Sequence, residues 1–373
     1  MFEDQFIPHD GIYLLNHSVG RPPRTARQAV DEGFFEPWEQ GDAEVWPSWL
    51  ARVDDFRRTL ATLLNGRQPE FCPQTNLSSA LTKLIHALPK QSGRETILLH
   101  ERDFPSMGFV LQQAERLGYR TRMIAADSDP QDLGEWERHL GDDVGIALIT
   151  HVHSNTSALL PVADITARAR QRGIVSVVDV AQSVGVVPID LGEWEADFVL
   201  GSCVKWLCGG PGAGFLWANP GIIPQCEPID VGWFSHAEPF EFDIRDFRYA
   251  EDALRFWGGT PSVMPYVLAT HSIGVLCEIG IEQIREHNQA MVQKVVEQLQ
   301  PASVLTPRDP ARRGGTLVVQ FGDSQRAAIE KLQAANVRFD GRATGLRLSP
   351  HIYNKEEEME IVVECLRQAG ESG

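Results

Sequence analysis

The sequence predicts an α/β protein. A mainly parallel central sheet has helices on both faces, and a smaller α/β layer follows at the C-terminal end. Three observations predict it. Short apolar runs alternate with helical patterns through the first two thirds of the 373 residues. Polar residues gather just beyond those runs, where such sheets hold their functional groups. The pattern then changes near Ser262, where a long helical stretch begins.

The elements follow in order. Phe34–Trp49 is rich in Trp, Pro, Gly and acid, and reads as a long irregular loop. In CPQTNLSSALTKLIHAL (72–88), Leu77, Leu81, Leu84, Ile85 and Leu88 form one helical stripe, with Asn76 or Thr75 as its cap. TILLH (96–100), GIALIT (145–150), IVSVVDV (174–180) and DFVLGS (197–202) read as buried strands. Helices are expected at Gly108–Leu117 and Val162–Arg172. Ser262–Leu299 reads as helix with one break, ended by Pro301. TLVVQF (316–321) is a strand, Gln325–Ala335 a helix and LRLSP (346–350) a short strand. A last helix starts at Lys355, and the acids of KEEEME (355–360) suit the positive end of its dipole.

Composition narrows the function. The chain is 43% hydrophobic and long enough for two domains. A net charge of −17 disfavours nucleic acid and anionic membrane as partners. The opening MFEDQFIPHDGIYLL has no basic stretch before an apolar one. No segment approaches the roughly 18 apolar residues of a membrane span. The six cysteines, at 72, 203, 208, 226, 277 and 365, form no CxxC pair, so neither a zinc site nor a disulfide framework is expected. A cytoplasmic protein without a metal is the expectation. His151 and His153 read as a strand-end pair rather than as ligands.

Lys205 sits in GSCVKWLCGGPGAGFLW, among apolar residues and just before a glycine-rich turn. A buried ammonium is costly unless it is paired or loses its proton. Asp179 ends the IVSVVDV run, at the carboxyl edge of the sheet. The helix start at 76–78 offers free backbone N–H groups, which bind phosphate well. RDFPSM (102–107) sets Phe104 after another strand. An acid, a desolvated lysine, an anion-binding helix start and a flat ring together suit pyridoxal phosphate. A nucleotide loop does not fit. GGPGAGF lacks the GxGxxG register, and no Walker A motif occurs.

The segment DVAQSVGVVPIDLGEWEADFVLGSCVKWLCGGPGAGFLW resembles the lysine region of fold-type I, class V pyridoxal-phosphate enzymes, and among them the kynureninases. IYLLNHSVGRPP, ERDFPS, HSNTSALLPV, VGWFSH, RFWGGTP and LRLSPHIYN resemble family segments in the same order. The resemblance implies a Schiff base at Lys205, with Asp179 on the pyridine nitrogen. It implies cofactor contacts from Gln182, Asn155, Phe104 and Thr150, with Asn76, Leu77 and Ser78 at the phosphate. Trp233 and Thr260 would reach the phosphate from the neighbouring subunit of a homodimer. Arg347 would clamp the carboxylate of a small amino-acid substrate, with Asn16, His17 and Ser18 lining the substrate side. The implied organisation is an N-terminal arm (1–20), a large cofactor domain (21–261), and a linking helix with a small domain (262–373).

The chain also departs from the kynureninase pattern. Val204, Met107, Gln182 and Asn155 replace a Tyr, an Asp, a His and a Tyr, and Asp42 stands near an expected His. Kynurenine-specific contacts are therefore expected to be replaced, while the cofactor site is expected intact. Cysteine desulfurase chemistry is disfavoured, because NVRFDGRATG (336–345) has no Cys. Hydrolytic or lyase chemistry of kynureninase type is favoured. Transamination is the alternative, and binding without turnover is opposed by the joint presence of Lys205, Asp179 and Arg347.

Overall fold

The computed structural model describes residues 2–41 and 44–370, so Asp42 lies outside the described residues. The strands in chain order are β1 (Ile12–Tyr13), β2 (Phe71–Gln74), β3 (Thr96–His100), β4 (Arg120–Ile124), β5 (Val144–Thr150), β6 (Val175–Asp179), β7 (Phe198–Ser202), β8 (Gly214–Ala218), β9 (Leu317–Val319), β10 (Val337–Arg338), β11 (Asp340–Arg342) and β12 (Gly345–Leu348). The helices are α1 (Ala26–Val30), α2 (Glu36–Glu39), α3 (Trp46–Leu64), α4 (Leu77–Ala87), α5 (Pro105–Gln113), α6 (Leu133–His139), α7 (Val162–Gln171), α8 (Met264–Ile279), α9 (Ile281–Gln298), α10 (Gln325–Ala334) and α11 (Glu356–Gly370).

A seven-stranded sheet runs in the order β2-β8-β7-β6-β5-β3-β4. The strands from β4 to β7 pair in parallel, and β8 pairs antiparallel with both its neighbours. Side chains alternate between two cores, as a period of two requires. Leu98, Ala147 and Ile149 pack with α3, α7 and α8 on one face. Ile97, Leu99, Ile146 and Leu148 pack with α4 and α5 on the other. Every residue of β3, β5 and β8 is buried, so these strands read as apolar runs.

A second, antiparallel sheet has the order β11-β12-β9. Its core joins α9, α10 and α11 and takes in Ile12 and Leu14 from the N-terminal segment. β1 pairs in parallel with β10, which fixes that segment on the C-terminal layer. α8 and α9 bend by 77° where Gly280, at φ 94°, separates them. No single helix among the described residues is long and apolar enough to cross a membrane.

Two expected elements are corrected. Phe34–Trp49 is not an irregular loop throughout: one wide helical turn and α2 cover Asp31–Glu39, and α3 starts at Trp46. Pro37 and Pro47 sit in first helical turns, where proline's missing N–H is harmless. Phe34 and Trp49 stack with centroids 5.0 Å apart, so the aromatics pack helix against helix. The helix expected from Gly108 begins earlier, at Pro105, and tightens to a 3-10 turn over Ala114–Leu117.

Candidate active site

The floor of the site lies at the carboxyl ends of the parallel strands. Thr150 and Asp179 are register partners at the ends of β5 and β6. Asp179 is buried, and its Oδ1 accepts the Ala181 N–H at 2.8 Å. Burial raises its pKa, while that hydrogen bond and the charge of Lys205 oppose the rise. Lys205 follows β7, and its Nζ stands 5.5 Å from the centre of the Phe104 ring. Burial lowers the lysine's pKa, Asp179 acts against this, and Arg347 and Arg342 add to it.

The backbone around Lys205 is tightly held. Gly20 N–H donates to the Val204 carbonyl at 2.9 Å. A Cβ on Gly20 would fall 2.2 Å from the Lys205 carbonyl oxygen, so the close approach requires glycine. The glycine-rich turn after the lysine holds Gly210 and Gly212 at φ 71° and 94°, as a tight turn needs.

Lys205, Asp179, Leu77, Ser78, Phe104, Thr150 and Gln182 all line one cavity. At the start of α4, the Asn76 side chain accepts the Ser79 N–H at 2.9 Å. The Leu77 and Ser78 N–H groups precede the first intrahelical bonds and remain available. Thr150 Oγ1 and Ser154 Oγ are buried without a hydrogen-bond partner, and both residues line the cavity. Orphaned buried hydroxyls signal a missing polar ligand. Size alone would choose differently. Grooves of about 870 Å³ beside Glu3, His287 and Lys355 and of about 630 Å³ beside Glu32, Arg52 and His271 are larger, but the second has no buried, unpartnered atom and the first only Glu3 Oε2, which is ion-paired with Lys355.

Arg347 and His17 do not line this cavity themselves; each is hydrogen-bonded to a residue that does, and together they form its rim. Arg347 is 3% exposed; its Nε donates to Asp340 Oδ2 at 2.9 Å and its Nη1 to the Ser154 carbonyl at 3.3 Å. His17 Nδ1 contacts Ser349 Oγ at 2.6 Å, and its Nε2 is 3.7 Å from Asp340 Oδ2. Burial pulls the His17 pKa down to about 4 despite the Asp340 carboxylate. Gln182 donates to the His17 carbonyl at 3.1 Å and accepts from Trp206 at 3.3 Å, leaving one amide N–H.

Other expected residues fall elsewhere. Asn155 does not line this cavity; its Oδ1 accepts from Arg342 Nη1 at 3.1 Å. The Asn16 Oδ1 accepts the Tyr353 hydroxyl. Ser18 N–H bonds the Leu15 carbonyl at 2.8 Å. Trp233 packs in an aromatic cluster with Trp46, Phe234, Phe240 and Phe242, and Thr260 is exposed. His151 contacts Ser183 Oγ at 2.9 Å, whereas His153 lies 3.3 Å from the buried Asp103. Asp340 and Asp103 were not foreseen. Asp103 follows Glu101 closely and Asp340 stands alone in a polar stretch, and nothing in the spacing marks either.

A half-buried lysine, a buried acid one strand away and orphaned hydroxyls at the end of a mainly parallel sheet define a pyridoxal-phosphate enzyme of fold type I. The chain belongs to the class-V aminotransferase family, whose model matches residues 49–362. It is 30% identical over 345 residues to a kynureninase of Deinococcus radiodurans, covering 89% of this chain and 83% of that one. An uncharacterized aminotransferase of Bacillus subtilis is 26% identical, with 86% and 84% covered. Among solved structures, a cysteine desulfurase of Thermococcus onnurineus superposes with a TM-score of 0.84 at 20% identity, over 97% of this chain and 95% of that one. The cystine C–S lyase C-DES, in complex with cysteine persulfide, gives 0.85 at 21% identity, with 96% and 97% covered. At such identities these structures speak for the fold. The protein is a pyridoxal-phosphate-dependent enzyme of the class V superfamily.

Proposed function

We propose that this enzyme hydrolyses the Cβ–Cγ bond of an amino acid of the kynurenine type, giving alanine and a carboxylic acid. The observation that carries this reading is one cavity lined by Lys205, Asp179 and the orphaned Thr150 hydroxyl, with Arg347 hydrogen-bonded to its lining residue Ser154. The kynureninase from Deinococcus radiodurans, similar over most of the chain, supports the reaction type.

The residues present fit the cofactor. Leu77 and Ser78 N–H groups, beside the Asn76 cap, would hold its phosphate. Phe104 would lie against its ring, and Thr150 and Gln182 would donate to its polar substituents. Asp179 would hold a proton on the ring nitrogen, its own Oδ1 fixed by Ala181. When bound, pyridoxal phosphate supplies an electron sink for the charge left at the substrate's Cα. Lys205 would hold the cofactor and would take the substrate's Cα proton on Nζ. Its lowered pKa makes the neutral amine accessible. Arg347 binds the substrate carboxylate through a planar fork.

The aromatic face around Trp233 supports a homodimer. Phe240 and Phe242 are 49% and 71% exposed beside it, more apolar surface than a lone monomer favours. In this reading Trp233 and Thr260 complete the phosphate site of a second copy. The division into 1–20, 21–261 and 262–373 and a cytoplasmic location belong to the same reading. All six cysteines are free thiols.

The test is mass spectrometry after incubating cofactor-loaded protein with kynurenine. Anthranilate plus alanine is expected. Kynurenic acid formed only with an added keto acid would replace this reading with transamination. Unchanged kynurenine would refute kynurenine as substrate and assign Val204, Met107 and Gln182 to a different amino acid.

A further inference from the structure

Asp340, Arg342 and Arg347 share the β11–β12 hairpin, where Asp340 and Arg347 are register partners. One oxygen, Asp340 Oδ2, faces three basic side chains. Arg347 reaches it through Nε and Nη2. Arg342 Nε lies 3.6 Å away and His17 Nε2 3.7 Å. A guanidinium carries five N–H donors. Arg347 spends two on Asp340 and one on the Ser154 carbonyl. Two remain, the number one carboxylate accepts from a fork. Arg342 makes a single hydrogen bond among the described residues, to Asn155, and its side chain is 34% exposed.

The charges decide what this arrangement selects. His17 is neutral at pH 7, because burial holds its pKa at about 4. Two guanidiniums and one carboxylate leave the cluster at +1. One ligand carboxylate brings it to zero. A second would leave it at −1, beside the Asp340 carboxylate. Asp340 is one-third exposed, so a ligand's side chain entering at the rim would meet it.

We propose that Asp340 is a specificity residue, a built-in second carboxylate that restricts the site to amino acids carrying one carboxylate. It takes the place on Arg342 and on one edge of Arg347 that an acidic side chain would otherwise occupy. Selection by repulsion of the wrong ligand is a general device. The proposal rests on the reading of Arg347 as the carboxylate fork and deepens it.

The experiment titrates the cofactor-loaded enzyme with pentanoate and glutarate, which share five carbons but differ by one carboxylate. Binding is read by calorimetry and by the visible absorbance of the bound cofactor. Wild type is expected to prefer pentanoate. Asp340→Asn is expected to shift the affinity ratio about tenfold or more toward glutarate. Asp340→Glu is expected to keep the wild-type order. A purely structural role would weaken both ligands equally, and an unchanged ratio in Asp340→Asn overturns the proposal. Arg342→Gln is the second variant, in case Asp340→Asn does not fold. It keeps the acid, removes a cation, and is expected to weaken glutarate more than pentanoate; the opposite order also overturns the proposal. Arg347→Gln separates the two levels. Lost pentanoate binding upholds the fork. Unchanged pentanoate binding refutes the fork and the proposal together.

Discussion

The floor and the rim of the cavity are built on opposite terms. On the floor, Thr150 and Ser154 hold buried hydroxyls with no partner, and Asp179 is buried against its own proton affinity. At the rim, the buried Arg347 already has a carboxylate on its fork. The floor holds no partner for its hydroxyls, whereas the rim is already part-filled by Asp340, with His17 Nε2 and Asn16 Nδ2 still buried without a hydrogen-bond partner. A region that waits for a ligand gains stability from it. A part-filled region gains selectivity as well, because an incoming group must match what is left over.

Variants on each side can break or sharpen this contrast. The largest effect is expected at Lys205. Lys205→Ala should lower turnover by roughly 10⁴-fold or more and remove the visible band of the bound cofactor. Retained turnover would end the floor's claim to the chemistry. Asp179→Asn should cost roughly 10²–10³-fold in turnover, as removal of a preorganised electrostatic partner does. The same change should raise the melting temperature of cofactor-free protein at pH 7. The sign follows from the raised pKa of Asp179. Stability from this carboxyl is full below its unfolded pKa and is lost as pH rises through the folded value. A lower melting temperature would show that the charge is paid for within the protein.

The rim should respond differently. Arg347→Gln should raise KM about 10- to 100-fold, the worth of charge-assisted hydrogen bonds, with the cofactor's absorbance unchanged. Loss of that absorbance would mean the two regions are not separable. Asn76→Ala, which uncaps α4, should cost about 1 kcal/mol in denaturant unfolding. The smallest effect belongs to a control remote from both regions. Arg326 is 90% exposed in its ion pair with Glu330, and Arg326→Ala should leave the melting temperature unmoved.

Much of the floor was legible in the sequence, for a physical reason. Strands buried on both faces must be apolar throughout, so TILLH and GIALIT announce themselves. An ionisable residue beside such a run, such as Asp179 or Lys205, stands out for the same reason. The edge strand β4 did not stand out, because RTRMI is largely solvated. β2 was hidden by Pro73, which breaks the usual strand signal. The Trp-rich segment was misread because its prolines open helices. The rim was half legible. Arg347 followed from resemblance, but Asp340 acquires meaning only when the hairpin register sets it opposite that arginine. Ser154 likewise becomes informative only once its burial is known.

The N-terminal segment has one more consequence. Ile12–Tyr13 is strapped to β10, at the foot of the hairpin that carries the arginines. Eight residues after Ile12, Gly20 is bonded to the backbone of the lysine loop. The segment is therefore a strut between two layers, short and fastened at both ends. A displacement of the C-terminal layer would therefore pull on the peptide that carries Lys205. One short length of chain thus ties the hairpin that carries the arginines to the peptide that carries Lys205, and a nick between Tyr13 and Gly20 would cut that tie.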